Sequence, residues 1–95
     1  NAQAYGLYLT ARALVSRRGV PSAQKAVEYF QQVVALDPAF APAHAGLADA
    51  YAYMSLPTYQ GMPVSKAQGL MRTAALKALE LDPDLAEHQI GRVPR

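Results

Sequence analysis

Apolar residues recur along the chain at helical spacing, in four stretches separated by short turn-forming breaks at Gly19-Val20-Pro21, Asp37-Pro38, Ser55 to Pro63 and Asp82-Pro83. The first stretch, from about Ala4 to Arg18, sets Leu7, Ala11, Leu14 and Val15 on one stripe. The second, from about Pro21 to Leu36, repeats Ala23, Ala26, Val27, Phe30, Val33 and Val34 at i, i+3, i+4, i+7 intervals. The third, Pro42 to Met54, offers Leu47, Ala48, Tyr51 and Met54 for burial. The fourth, Ser65 to Leu81, has the cleanest period: Ala67, Leu70, Met71, Ala74, Ala75, Ala78 and Leu79. Pro21 and Pro42 suit first turns, where the missing N–H of proline costs nothing. A short fifth helix is expected from Asp84, ended by Gly91 and Pro94. No stretch alternates with period two, so the pattern predicts an all-α protein.

The pattern also repeats. Leu36-Asp37-Pro38 returns as Leu81-Asp82-Pro83, forty-five positions later, and at that offset Val33 answers Ala78, Val34 answers Leu79, Phe40 answers Leu85 and Ala41 answers Ala86. A residue before proline is pushed out of the α region, so each long helix must stop at its Asp. The unit is an amphipathic helix ending in Leu-Asp-Pro, followed by an alanine-rich helix.

Ala41-Pro42-Ala43-His44-Ala45-Gly46-Leu47-Ala48-Asp49-Ala50-Tyr51 resembles the first helix of a tetratricopeptide repeat, with Leu47, a small residue at Ala48 and an aromatic at Tyr51 in the expected places. Ala26, Phe30 and Pro38 match the second-helix pattern. Ala75, Ala78 and Pro83 match it again, although Met71 stands where a small residue is usual. The family spacing is about 34 residues, so the longer offset implies an insertion, which fits at 55–63; a shorter one falls near Arg17 to Val20. The resemblance implies one domain over 1–95: a first repeat at about 4–38, a second at about 39–83, and a partial third at 84–95. It would be two antiparallel helix pairs stacked as an α-α superhelix, similar to the divergent repeats attached to bacterial signalling and regulatory proteins.

Such superhelices receive peptides or partner segments in a concave groove lined by first helices. Carried over residue by residue, the resemblance assigns that groove Tyr5, Tyr8 and Arg12 from the first helix, Phe40 at the entry to the third, and Ala45, Asp49, Ala52 and Tyr53 along it. Tyrosine supplies broad, stiff contact area with a polar tip, and arginine a directed charge. The carboxylate-clamp version of the groove is not expected, because Ala45 and Asp49 take the matching places and Asp49 would repel an anion. Arg12 and Asp49 are alternatively a pair with each other, worth only about 0–1 kcal/mol if exposed, and Tyr5 and Tyr8 are alternatively packing for a flanking domain.

Composition narrows the chemistry. Alanine fills nineteen of 95 positions, against six Tyr, two Phe and no Trp, a bias that favours closely packed helices. Nine bases against seven acids leave a net charge of +2, and Arg17-Arg18, the nearest thing to a basic patch, neutralises too few phosphates to make nucleic acid a main partner. Without cysteine there is no disulfide, thiolate metal site or cysteine nucleophile. Cysteine-free chains suit a reducing cytoplasm, which is slightly favoured, and tolerate an oxidising compartment. No membrane insertion is expected, and the missing initiator Met suggests a piece of a longer protein.

His44 and His88 lie on different helices and are too few for a structural metal site. Asp37 and Asp82 read as helix-exit residues before they read as a carboxylate pair. The six glycines form no phosphate cradle, Gly46 and Gly69 inside helices suggest close helix contacts, and no serine has a nucleophile setting. The expectation is a protein without catalytic residues, metal or cofactor: an interaction or regulatory module for a protein or peptide partner. The alternative is a dimerisation or spacer domain with an empty groove. The fourth helix turns Leu76 off its main stripe, leaving an open apolar end for a second copy or a further repeat, and Leu79→Asp is expected to unfold the chain. In the 55–63 insertion, Leu56, Tyr59 and Met62 are apolar groups able to fold back or to reach a neighbour.

Overall fold

The computed structural model describes residues 2–17, 20–55 and 62–84, with the backbone alone for 20 and 21. All regular structure among them is α-helical: α1 (Ala2–Arg17), α2 (Val20–Leu36), α3 (Ala41–Met54) and α4 (Val64–Leu81). The fifth helix expected from Asp84, with His88, and the insertion residues Leu56 and Tyr59 lie outside the described residues. Met62, at the end of that insertion, is half-buried against the core.

Both Leu-Asp-Pro exits are built the same way. The Asp37 N–H donates to Val33 O at 2.8 Å, and the Asp82 N–H to Ala78 O at 2.9 Å, closing the last helical turn. Asp82 itself has left the helix, at φ −148° and ψ 93°, as a residue facing proline must. Its carboxylate Oδ1 accepts the Asp84 N–H at 3.0 Å, which tightens the turn. After Asp37 the chain turns within four residues: Phe40 N–H donates to Asp37 O at 3.1 Å, and Phe40 O accepts from Ala43 N–H at 3.1 Å. Phe40 therefore caps α3 in an extended conformation, with Pro42 in the first turn. Pro63 caps α4, its carbonyl accepting from Ala67 N–H at 3.1 Å.

Each helix packs on the next, most extensively α1 on α2 and α3 on α4, and α1 also reaches α3. The core explains the alanine content: among the described residues, eleven of the seventeen buried apolar ones are Ala, around Phe30 and Val33 of α2 and Leu47, Tyr51 and Met54 of α3. Central α3 is buried on nearly every side, through Ala43, Gly46, Leu47, Ala50, Tyr51 and Met54, as expected of a helix apolar all round. Gly46 marks a close approach of α3 to α2. A Cβ built there would overlap the ring of Phe30, so only glycine lets α2 carry a phenyl ring against α3 at this point. Gly69 has open space around it, and the close contact its position suggested is absent.

Two phase assignments change. On α1 the seam runs through Ala4, Tyr8 and Ala11, while Leu7, Leu14 and Val15 flank it half-buried. On α4 the buried line is Ala67, Ala74 and Ala78; Leu79 is 48% exposed and Leu76 61%. Successive helix residues are turned by about 100°, so with Ala78 centred on α3, Leu79 must swing outward. Leu79→Asp consequently places its charge at the surface and is no longer expected to unfold the chain.

Candidate functional site

Tyr5, Tyr8 and Arg12 follow one another at i, i+3 and i+7 on α1 and form a rail along one side of the helix. Tyr8 is its foundation. Only 5% exposed, it meets the Phe40 ring edge-on with centroids 5.2 Å apart and approaches Phe30 at 6.0 Å. These contacts tie α1, α2 and the start of α3 together. Tyr5 leans on Tyr8 at 6.1 Å and is exposed over half its surface. Arg12 lays its guanidinium over Tyr8, 5.8 Å from the ring centroid, a cation–π contact that fixes the direction of a flexible side chain.

Two hollows open along the rail and the start of α3. One, about 320 Å³, is lined by Ala2, Ala4, Tyr5, Asp37 and Phe40. The other, about 120 Å³, lies between Arg12 and Asp49, with Tyr8, Val15, Ser16, Phe30 and Gly46 completing its walls. Gly46 thus has two effects, admitting the Phe30 ring and leaving the floor of this cleft without a side chain. Asp49 is exposed as a residue, yet burial of its carboxyl against these neighbours raises its pKa above the ordinary value, and the Arg12 guanidinium only partly offsets this. The two charges feel each other across the cleft without closing to ion-pair distance. Among the described residues the ion pair is Lys77–Glu80 on α4, at 3.0 Å.

Of the eight residues assigned to the groove, the fold gathers five around these hollows: Tyr5, Tyr8, Arg12, Phe40 and Asp49. Ala45 instead packs with Ala41, Ala78 and Leu81, on the side of α3 that meets α4. Ala52 and Tyr53 lie at the far end of α3, where Ala52 O accepts the Ser55 hydroxyl at 2.7 Å and Tyr53 packs half-buried against the core. Asp37 is the residue the sequence did not point to. Its place before Pro38 accounted for it as a helix exit, and only the return of α2 beneath α1 brings it next to Tyr5. His44 is half-buried, with Nε2 3.0 Å from Pro38 O, so the protonated nitrogen ties the first turn of α3 to the preceding bend.

Among the described residues no three His, Asp or Glu side chains come together as a metal site, and no helix is long and apolar enough to cross a membrane. Compared with protein-family models, curated proteins and solved structures, the chain matches none.

Proposed function

We propose that this domain is a non-catalytic protein-interaction module of the tetratricopeptide-like kind, in which the α1–α3 groove receives a segment of a partner protein. The observation that carries the reading is the gathering of Tyr5, Tyr8 and Arg12 of α1, Phe40 at the start of α3 and Asp49 of α3 around two hollows. The repeated exit geometry at Asp37 and Asp82 and the strong packing within each helix pair support the repeat reading. The short link from α1 to α2 implies antiparallel neighbours. The smaller hollow is well below the 300–1,000 Å³ or so usual for a free small-molecule site; it suits a single side chain of a longer ligand.

The test is selection from a displayed random-peptide library with the chain as bait, followed by binding to a Tyr5→Ala, Arg12→Glu double variant. Both side chains are exposed, so the variant stays folded, with its unfolding midpoint lowered only modestly by the lost contacts to Tyr8. Selected peptides should lose at least about tenfold in affinity for it. Peptides that bind both proteins equally would sink the groove assignment. A second reading, a dimerisation domain, is favoured by one observation: Leu76 and Leu79 sit exposed, three positions apart, on the outer face of α4.

A further inference from the structure

The larger hollow has a chemistry of its own. Two aromatic residues, Tyr5 and Phe40, and one acid, Asp37, line it together with Ala2 and Ala4; among the described residues no base lines it. Asp37 is half-buried, and its backbone N–H and C=O are spent on the helix exit and the turn. Among the described residues no base pairs with its carboxylate, the ion pair there being Lys77–Glu80. An acid at the edge of a hollow that also holds two aromatic residues complements a bound cation. The rail already shows its affinity for such groups, since Arg12 occupies Tyr8 as an internal cation–π partner. Tyr5, one turn away and exposed, has Tyr8 as its ring neighbour and no internal cation of that kind among the described residues.

We propose that this hollow is a cation-accepting pocket that takes the side chain of a lysine on the partner polypeptide, its ammonium directed to Asp37 and its methylene stem against Tyr5 and Phe40. The inference rests on the groove reading and adds to it the charge of the ligand. A lysine stem is apolar and its head strongly hydrated, which matches a hollow with aromatic walls and an acid at its edge. The Arg12–Asp49 cleft, containing one charge of each sign, exerts no such selection. The groove therefore chooses a basic residue at one end only, and the preference for it weakens with salt.

Two capped synthetic peptides that differ only in lysine or uncharged norleucine at their centre test this. They are titrated into the ¹⁵N-labelled chain carrying an acetylated N-terminus, so that lysine is the one cation varied. The lysine peptide should shift the amide signals of Ala4, Tyr5, Asp37 and Phe40 and bind about tenfold more tightly than its norleucine counterpart. Asp37→Asn and Tyr5→Leu should each shrink that ratio, whereas Tyr5→Phe, which keeps the ring, should preserve it. Equal binding of the two peptides, with shifts at the same amides or around Arg12 and Asp49, overturns the cation pocket and leaves the groove reading standing. A charge preference that survives Asp37→Asn also overturns it. No shifts with either peptide overturn it too; whether the groove reading falls with it is decided separately by the library-selected peptides and the Tyr5→Ala, Arg12→Glu variant.

Discussion

Glycines 46 and 69 have the same sequence context, the interior of an alanine-rich helix, and opposite roles. At Gly46 an added methyl meets the Phe30 ring, so Gly46→Ala should destabilise by about 1–3 kcal/mol through overpacking, in spite of the better helix propensity of alanine. At Gly69 the methyl enters open space, and Gly69→Ala should stabilise by about 0.5–1 kcal/mol. Urea denaturation of both variants checks the pair; equal signs would mean that α2 and α3 are farther apart than described. Asp49 carries a pH prediction. Its raised pKa means that the folded chain binds the proton more tightly than the unfolded chain, so this residue lowers stability as pH rises from the ordinary carboxylate range through the folded value. Asp49→Asn should remove that decline and gain most at neutral pH, with the advantage fading in acid. Urea midpoints from about pH 3 to 7 would reveal it.

Helix α4 shows how far periodicity carries and where it stops. Its spacing fixed a helix and one buried stripe, but Ala78 and Leu79 are adjacent and both lay within the apolar arc. Packing on α3 chose Ala78, which is 2% exposed. Small residues let α4 sit close, and the bulkier leucine was left outside. Leu79→Asp should therefore keep its helical circular dichroism and lose less than about 1 kcal/mol. Ala78→Asp, which puts an unpaired carboxylate into the seam, should unfold the domain. A folded Ala78→Asp protein would reverse this phase. On α1 the same preference drew Ala4 and Ala11 inward around Tyr8 and left the larger Leu7 and Leu14 at the flanks.

At the scale of the molecule, two surfaces of the described residues are proposed to act: the α1–α3 groove and the outer face of α4. They are separate, so they can be tested independently. Light scattering over about a hundredfold range of concentration should show a rise from 10.2 kDa toward twice that mass, abolished by Leu76→Asp with Leu79→Asp, if α4 closes on a second copy. The groove reading expects the same double variant to bind library-selected peptides as well as the parent. Loss of peptide binding together with the dimer would instead make dimerisation the function and the groove a by-product of helix packing.

The helices and their exits were legible because each depends on local rules: a period near 3.6, proline excluding the α region from Asp37 and Asp82, and prolines near helix starts. The rail Tyr5-Tyr8-Arg12 was legible for the same reason, since residues three and four apart on a helix must share a side. Which side faced the core was not. Tyr8 became a buried strut, Ala45 turned to α4 and Leu79 to the surface, because these choices depend on the volumes of side chains brought together from different helices. The pairing of Asp37 with Tyr5 and Phe40 was also beyond a sequence reading. It arises from the return of α2 along α1, with Tyr8 seated between Phe30 and Phe40, a relation between elements that no local rule fixes.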